Sequence, residues 1–214
     1  AIIYDVYGAT ENTAFATVTP WGGKVKFGTV GVPLPGTDIK IVDLDTGTRE
    51  LPPKEAGEIC IKGPQVMSGY YKKPEETAQA LKDGWFYTGD IGFFDEDGYL
   101  TISDRKKDMI CASGFNIYPK EVDEILFGHP KILEACCIGV PDEYRGETVK
   151  AYVVVQPGET LTEQEVIAYC KGKMTGYKVP TQVEFIDQLP KSAIGKIMRR
   201  EVRDMDKKKR EGRS

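Results

Sequence analysis

Several residues in this sequence have the types and neighbours that chemistry on a charged substrate needs. Glu11 offers a hard carboxylate oxygen that suits a small divalent cation, directly or through water. Its neighbour Thr10 offers a hydroxyl donor, and Tyr7 offers a flat ring for stacking. Asp90 follows Gly89 and has lone pairs enough to accept from two donors, so paired hydroxyls are a natural ligand for it. Arg105 carries a planar fork of donors that fits hydroxyl or phosphate oxygens. Lys196 ends the glycine-containing loop Pro190–Lys196, where a mobile ammonium can meet negative charge and then withdraw. Each has a plain reading when taken alone. Thr10–Glu11 is then a solvated strand corner, Asp90 a turn aspartate, Asp104–Asp108 a charged linker, and Gly195–Lys196 a surface pair.

The rest of the composition narrows the field. The chain has one histidine, His129, and it lies in a helix-ending Gly-His-Pro sequence, which argues against a Ser-His-Asp hydrolase or a multi-histidine metal site. The five cysteines form no Cys-x-x-Cys pair and are odd in number, so reduced, mostly buried thiols in a cytoplasmic protein are expected. Residues 1–103 hold 9 basic against 15 acidic residues and the remainder 20 against 18, which gives −6 and +2. A formal charge of −4 gives no reason to expect a nucleic-acid partner. The basic run Lys207–Arg210, in a stretch extending to Arg213, reads as a solvated end. No apolar run approaches a membrane span, and no signal pattern opens the chain.

These residues must be positioned by two differently patterned halves. Ile2–Tyr7 reads as a strand that runs straight into the Thr10–Glu11 corner. From residue 28 to 104 short alternating strands, such as Asp38–Asp43 and Glu58–Lys62, are broken by Gly, Pro and Asp. Asp95–Gly98 is a hairpin signal, and only Pro74–Leu81 looks helical, so this half is a small barrel or distorted sheet. After residue 104 the period changes. Pro119–Phe127 is an amphipathic helix, Ala135–Val140 and Val149–Val155 are strands, and Thr162–Glu165 opens a helix with a capping box. The strand Gln182–Ile186 and a final basic helix complete a compact α+β pattern, with the boundary near Asp104–Arg105.

Four segments, in order, carry a resemblance. Tyr7-Gly8-Ala9-Thr10-Glu11 resembles the Tyr-Gly-x-Thr-Glu motif of the adenylate-forming (AMP-binding) superfamily, and Trp85–Asp90 its Trp-x-x-Thr-Gly-Asp motif. Ser103–Ile110 with Ser113-Gly114 is similar to its hinge motif, and Pro190–Lys196 to its terminal lysine loop. Gly57-Glu58-Ile59 and Gly69–Pro74 lie between them, so the match runs from Tyr7 nearly to Arg200. Within the superfamily the likeness is to long- or medium-chain acyl-CoA synthetases.

The resemblance implies an α+β fold. Residues 1–104 would be the end of a large N-terminal domain, mainly β and barrel-like. Residues 105–214 would be a small mobile α+β domain carrying the catalytic lysine. It implies an acid–thiol ligase that activates a carboxylic acid, first of all a fatty acid, to an acyl-adenylate and transfers it to CoA. ATP, Mg²⁺ and CoA are then required. Carried over residue by residue, Lys196, Thr10 and Glu11 are catalytic, with Glu11 on the metal. Tyr7, Gly8, Thr10, Asp90, Arg105, Lys107 and Gly114 bind nucleotide or CoA, and Lys107 is also the hinge. Gln182, Arg199 or the basic tail is a candidate for the nucleotide end of CoA.

Two departures stand out. The family's phosphate loop, expected before Tyr7, is absent, so the chain reads as the last two-fifths of such an enzyme, inactive alone. Cys111 replaces a lysine that some relatives carry. A peptide-synthetase adenylation domain, an aryl-CoA ligase and, more distantly, a non-enzymatic interaction module are the alternatives. A homodimer stays open.

Overall fold

The computed structural model describes residues 3–212. It divides into two compact units, one ending at Lys106 and the other beginning at Lys107. Ile2 and Arg213 lie outside the described residues.

In the first unit, β1 (Val6–Tyr7), β2 (Thr17–Val18) and β3 (Val32–Pro33) form a small antiparallel sheet in that order. The strand expected over Ile2–Tyr7 is therefore confined, among the described residues, to its last two positions. A second antiparallel sheet contains β4 (Asp38–Val42), β5 (Gly57–Lys62), β6 (Leu81–Lys82), β7 (Trp85–Phe94) and β8 (Leu100–Arg105). One edge of β7 pairs with β5. Its other edge pairs first with β6, at Trp85 and Phe86, and then with β8, from Asp90 to Phe94. Of the two expected forms, small barrel or distorted sheet, the structure has the sheet and no closed barrel. Closure needs the outer strands to meet, and among the described residues β4 pairs with no strand beyond β5, so the sheet is open.

The alternation that predicts these strands also sets their faces. Ile59 and Ile61 turn inward with Ile41, Phe86 and Leu100 to form the core, while Lys40 and Lys62 lie over the Trp85 ring on the other face. Helix α1 (Pro74–Ala80) starts on a proline, which loses no hydrogen bond at that position, and it leads directly into β6. The β7–β8 turn is tied by Asp95, whose Oδ1 accepts from the amides of Asp97 and Tyr99, both at 2.9 Å.

In the second unit, β9 (Ile110–Ala112) and β10 (Phe115–Ile117) make a hairpin that the sequence reading did not anticipate. It joins β11 (Ile132–Asp142), β12 (Gly146–Val155) and β13 (Gln182–Phe185) in one sheet, with β13 parallel to β12. Helices α2 (Pro119–Phe127) and α3 (Glu163–Lys171) pack on one face through Val122, Leu126, Val166 and Cys170. Helix α4 (Arg199–Glu211) packs on the other through Val202, against Ile138, Tyr152 and Leu189. Adjacent Cys136 and Cys137 point to opposite faces, so β11 is buried on both sides. The capping box of α3 is present: Thr162 Oγ1 accepts from the Glu165 amide, and Glu165 Oε2 accepts from the Thr162 amide at 2.8 Å. His129 is the turn residue expected, its Nδ1 accepting from the Lys131 amide. All five cysteines are free, and only Cys111 is exposed. No helix among the described residues is long and apolar enough to cross a membrane.

Candidate active site

Asp90 is placed by two irregularities of β7. Against β5, Glu58 faces Ile91 and Cys60 faces Tyr87, so Thr88, Gly89 and Asp90 bulge out of register. Against β8, Ile91 faces Asp104 and Gly92 faces Ile102, a second slip beside the first. Bulges of this kind re-aim a side chain. Gly89 supplies the left-handed backbone the bulge requires, with φ of +70°. The bulge is pinned by Thr88, whose Oγ1 donates to the Ile59 carbonyl at 2.9 Å and accepts the Asp90 amide at 3.0 Å. Buried Glu58 accepts the Gly89 amide at 3.1 Å on Oε1, and its Oε2 takes the Lys106 ammonium at 2.8 Å.

The Asp90 carboxylate thus meets two of the other predicted residues. Tyr7 donates its hydroxyl to Oδ2 at 2.8 Å, across 83 residues of sequence. Arg105 Nε lies 3.1 Å from Oδ1. Burial, reinforced by the Asp90 charge, pushes the Tyr7 phenol far above its ordinary range, so it stays a donor at any working pH. Asp90 keeps lone pairs beyond these two contacts, and the Arg105 side chain remains 59% exposed. The corner is therefore a carboxylate prepared for hydroxyl donors, with a guanidinium beside it that can still turn toward an anion.

Thr10 and Glu11 lie on a 3₁₀ turn, Thr10–Asn12, folded back tightly after β1. A Cβ on Gly8 would fall 1.7 Å from the Ala14 carbonyl oxygen, so this position needs glycine for space whatever else it touches. The turn is closed by Asn12 Oδ1, which accepts the Ala9 amide at 2.6 Å, and it forces Thr13 and Ala14 to φ of 52° and 86°. Positive φ at non-glycine residues stores backbone strain, which concentrates at functional sites. Thr10 is exposed. Glu11 accepts the Tyr70 hydroxyl on Oε1 at 2.7 Å, and its Oε2 has no partner among the described residues. That contact and burial push the Tyr70 phenol up to about 12. No group of three His, Cys, Asp or Glu residues that could hold a metal occurs among the described residues. One carboxylate with one uncommitted oxygen does fit Mg²⁺, which keeps several waters and takes other ligands from substrate phosphates.

Lys196 belongs to the second unit and is built into a hairpin turn. The Ser192 amide donates to the Lys196 carbonyl at 2.9 Å, the Lys196 amide donates back to Ser192 Oγ at 3.2 Å, and Gly195 has φ of +80°. The side chain is exposed and makes no ion pair among the described residues. The hairpin is bolted down at both ends. Lys191 pairs with Glu134 before it. After it, Arg199 pairs with buried Asp123 and donates to the Cys137 carbonyl at 3.1 Å. Burial pushes the Asp123 carboxyl up to about 6, against the opposing pull of Arg199. Arg199, one candidate for the nucleotide end of CoA, is thus engaged within the unit, whereas Gln182 is exposed at the start of β13.

Lys107 is exposed in the 3₁₀ turn Lys106–Asp108. One turn into α4, Arg203 donates to the Lys107 carbonyl at 2.9 Å and pairs with Asp108 at 2.6 Å. Gly114, at φ of +80°, forms the β9–β10 turn with Ser113, with open space where a side chain would be.

The structure therefore brings Tyr7, Asp90 and Arg105 together, sets Thr10 and Glu11 on the turn after β1, and places Lys107, Gly114 and Lys196 in the other unit. The sequence reading assigns no role to three supporting residues: Glu58, Tyr70 and Arg203. Glu58 was detectable in principle, as a charged residue between apolar neighbours in a strand. Tyr70 lies in the Gly69–Pro74 segment of the resemblance, though nothing there marks its role, and Arg203 carries no such signal.

Comparison with known proteins identifies the chain. A model of the AMP-binding enzyme family matches residues 1–71, and a model of the AMP-binding enzyme C-terminal domain matches residues 121–196. Together they span more than half of it, and the chain belongs to the AMP-binding enzyme family. It is 48% identical over 198 residues to a long-chain-fatty-acid–CoA ligase of Escherichia coli, covering 92% of this chain and 35% of that protein. It is 50% identical over 196 residues to the ligase of the same name from Bacillus subtilis, again 92% of this chain and 35% of the relative. Among solved structures, ATP-bound MatB from Rhodopseudomonas palustris superposes with a TM-score of 0.88 at 39% identity, over 95% of this chain and 40% of that one. An o-succinylbenzoate CoA synthetase from Bacillus subtilis, in complex with its acyl-adenylate intermediate, gives 0.82 at 33%, over 93% and 40%. The chain spans about a third of the length of the curated relatives it matches.

Proposed function

We propose that the full-length protein is an AMP-forming acyl-CoA synthetase acting first of all on long-chain fatty acids. In the first step a carboxylate oxygen of the acid attacks the α-phosphorus of ATP, and the bond to pyrophosphate breaks to leave the acyl-adenylate. In the second the CoA sulfur attacks the acyl carbon, its proton is lost, and AMP departs. The observation that carries the reading is the Asp90 corner. Two donors already converge on a bulged carboxylate that keeps room for the ribose hydroxyls, in a chain about half identical to fatty-acid–CoA ligases.

The residues then divide the work. Asp90 accepts the ribose hydroxyls, Arg105 contacts ribose or phosphate oxygens, and the Tyr7 ring lies against the adenine while its hydroxyl holds Asp90. Thr10 donates to an α-phosphate oxygen. Glu11 holds Mg²⁺, which offsets charge on the phosphates. Lys196 meets the charge that develops at the carboxylate and α-phosphate, and its side chain, without an ion-pair partner among the described residues, can reach it. Lys107 is the pivot between adenylation and thioester formation, and Gly114 lets CoA pass close to the backbone. Free, mostly buried cysteines support a reducing cytoplasm.

The test is pyrophosphate release by the full-length protein against fatty, aryl and amino acids, with and without CoA. Release is expected to peak with long-chain fatty acids and to yield thioester only with CoA. Lys196→Ala should lose about 10²–10³-fold in kcat. Release with amino acids alone would move the protein to the peptide-synthetase branch. No release with any acid would overturn the proposal.

A further inference from the structure

Glu11 is gripped by a segment to which the reaction as described assigns no part. The Met67 amide donates to the Glu11 carbonyl at 2.7 Å, and the Tyr70 hydroxyl donates to Glu11 Oε1 at 2.7 Å. Next to them, Thr13 Oγ1 donates to the Gln65 carbonyl at 2.8 Å. Tyr70 is fixed in its turn by Thr77, whose Oγ1 accepts the Tyr70 amide at 2.9 Å and donates to the Lys73 carbonyl at 2.7 Å. Thr77 also lies against Gly69, where a Cβ would fall 2.7 Å from its methyl carbon. So the loop before α1 presents one phenol to one oxygen of the carboxylate and leaves the other oxygen open.

That asymmetry has a chemical consequence. Mg²⁺ demands near-ideal octahedral geometry and takes a carboxylate end-on, whereas Ca²⁺ accepts six to eight ligands and readily takes both carboxylate oxygens at once. A phenol donating to Oε1 opposes the two-oxygen mode, because chelation would sacrifice a hydrogen bond to a charged acceptor. We propose that Tyr70 is a positioning residue that keeps Glu11 end-on and so sets the preference of this site for Mg²⁺ over Ca²⁺. The proposal rests on Glu11 holding the metal.

The experiment measures nucleotide binding to the full-length protein by calorimetry, using ATP with Mg²⁺, with Ca²⁺, or with EDTA. The wild type should bind the Mg²⁺ form more tightly than the Ca²⁺ form. Tyr70→Phe should narrow that ratio about tenfold, the scale of an outer-sphere partner, while binding of metal-free ATP and the melting temperature hold. Thr77→Val, which loosens Tyr70 from behind, should give a smaller shift of the same sign, and it decides the matter if Tyr70→Phe does not fold. In a Glu11→Gln background, adding Tyr70→Phe should leave the ratio unaltered, because the phenol acts through the carboxylate. If Glu11→Gln changes the ratio and Tyr70→Phe does not, the proposal for Tyr70 falls alone. Should Tyr70→Phe weaken all three forms equally, Tyr70 merely fastens the loop, and the proposal falls as well. A ratio indifferent to Glu11→Gln removes the metal from Glu11 and takes both readings with it.

Discussion

Glu58 takes the Lys106 ammonium at 2.8 Å on one carboxylate oxygen while its other oxygen holds the amide of Gly89. One buried side chain thus braces the residue before Asp90 and the last residue of the first unit. On the far side of the Lys106–Lys107 bond, Arg203 holds the Lys107 carbonyl and Asp108. The backbone is therefore clamped on each side of a single linkage, by residues of the unit to which each side belongs.

Glu58→Gln separates the two duties. The amide oxygen can still accept from Gly89, but the charge that holds Lys106 is gone. If Lys107 is the pivot, the ratio of thioester formation to pyrophosphate exchange should change by several-fold in the full-length variant, with little loss of AMP affinity. An equal fall in both half-reactions would place the whole effect of Glu58 at the Asp90 corner.

The two glycines of the nucleotide motifs should fail for different reasons. Gly89 needs a positive φ but has open space around it, so Gly89→Ala should cost about 1–2 kcal/mol and Gly89→Asn less, since asparagine tolerates that region better. Gly8 needs space, and any Cβ there meets the Ala14 carbonyl. Gly8→Ala and Gly8→Asn should both be more damaging than either change at Gly89. Denaturant melts of the four variants check the order, and a milder Gly8→Asn would contradict the steric account.

The legible part of this molecule was the part written in local pattern. Pro119–Phe127, the capping box at Thr162 and the Asp95–Gly98 turn all follow from spacing and turn chemistry, and each occurs where expected. Alternation marks the strands of the β-rich half, but closure of its sheet depends on which edges meet, and alternation along a strand says nothing about that. The same limit applies at the site. Motifs named Asp90 and Glu11, yet Tyr7–Asp90 and Tyr70–Glu11 span 83 and 59 residues. Only the register slip in β7 and the fold-back after β1 bring those partners into contact.

Asp123 and Arg199 anchor the start of α4 directly behind the Lys196 hairpin. Their side chains are 11% and 18% exposed, and Arg199 also lies 3.8 Å from Asp108, so loss of Asp123 removes the shorter of these two carboxylate contacts. Asp123→Ala should destabilise the second unit by less than the ~3–5 kcal/mol of an uncompensated buried charge, because Arg199 keeps Asp108. Replacing both residues by apolar ones should be milder still, because neither desolvated charge then has to be compensated. Urea unfolding of the single and double variants measures the coupling, and purely additive losses would show that the pair does not act as one.

The last turns of α4 are held by a second polar cluster, and its charge states set a pH dependence. Asp206 is fully buried and accepts from the Lys150 ammonium and the Tyr152 hydroxyl, both at 2.7 Å, and from Arg210 at 2.6 Å. Burial alone would raise its pKa, but these three donors outweigh that and hold it below the ordinary carboxylate range. Burial likewise opposes the charge on Lys150, and the hydrogen bonds to Asp206 and Glu184 reverse it, so the lysine pKa is raised. For Asp206 the folded pKa lies below the unfolded one. Its stabilisation is present above about pH 4 and is lost as pH falls through the folded value. For Lys150 the sign is opposite: its contribution is full below about pH 10 and is lost as pH rises through the raised value. These two groups leave the melting temperature level between these limits and lower it outside both, while the raised Asp123 carboxyl adds a rise as pH falls from about 6 toward 4. Asp206→Asn should lower the melting temperature above about pH 4 and make the acid limb shallower, because one of the carboxylates that titrate there is gone. An acid limb that stays as steep in Asp206→Asn would assign it to other carboxylates.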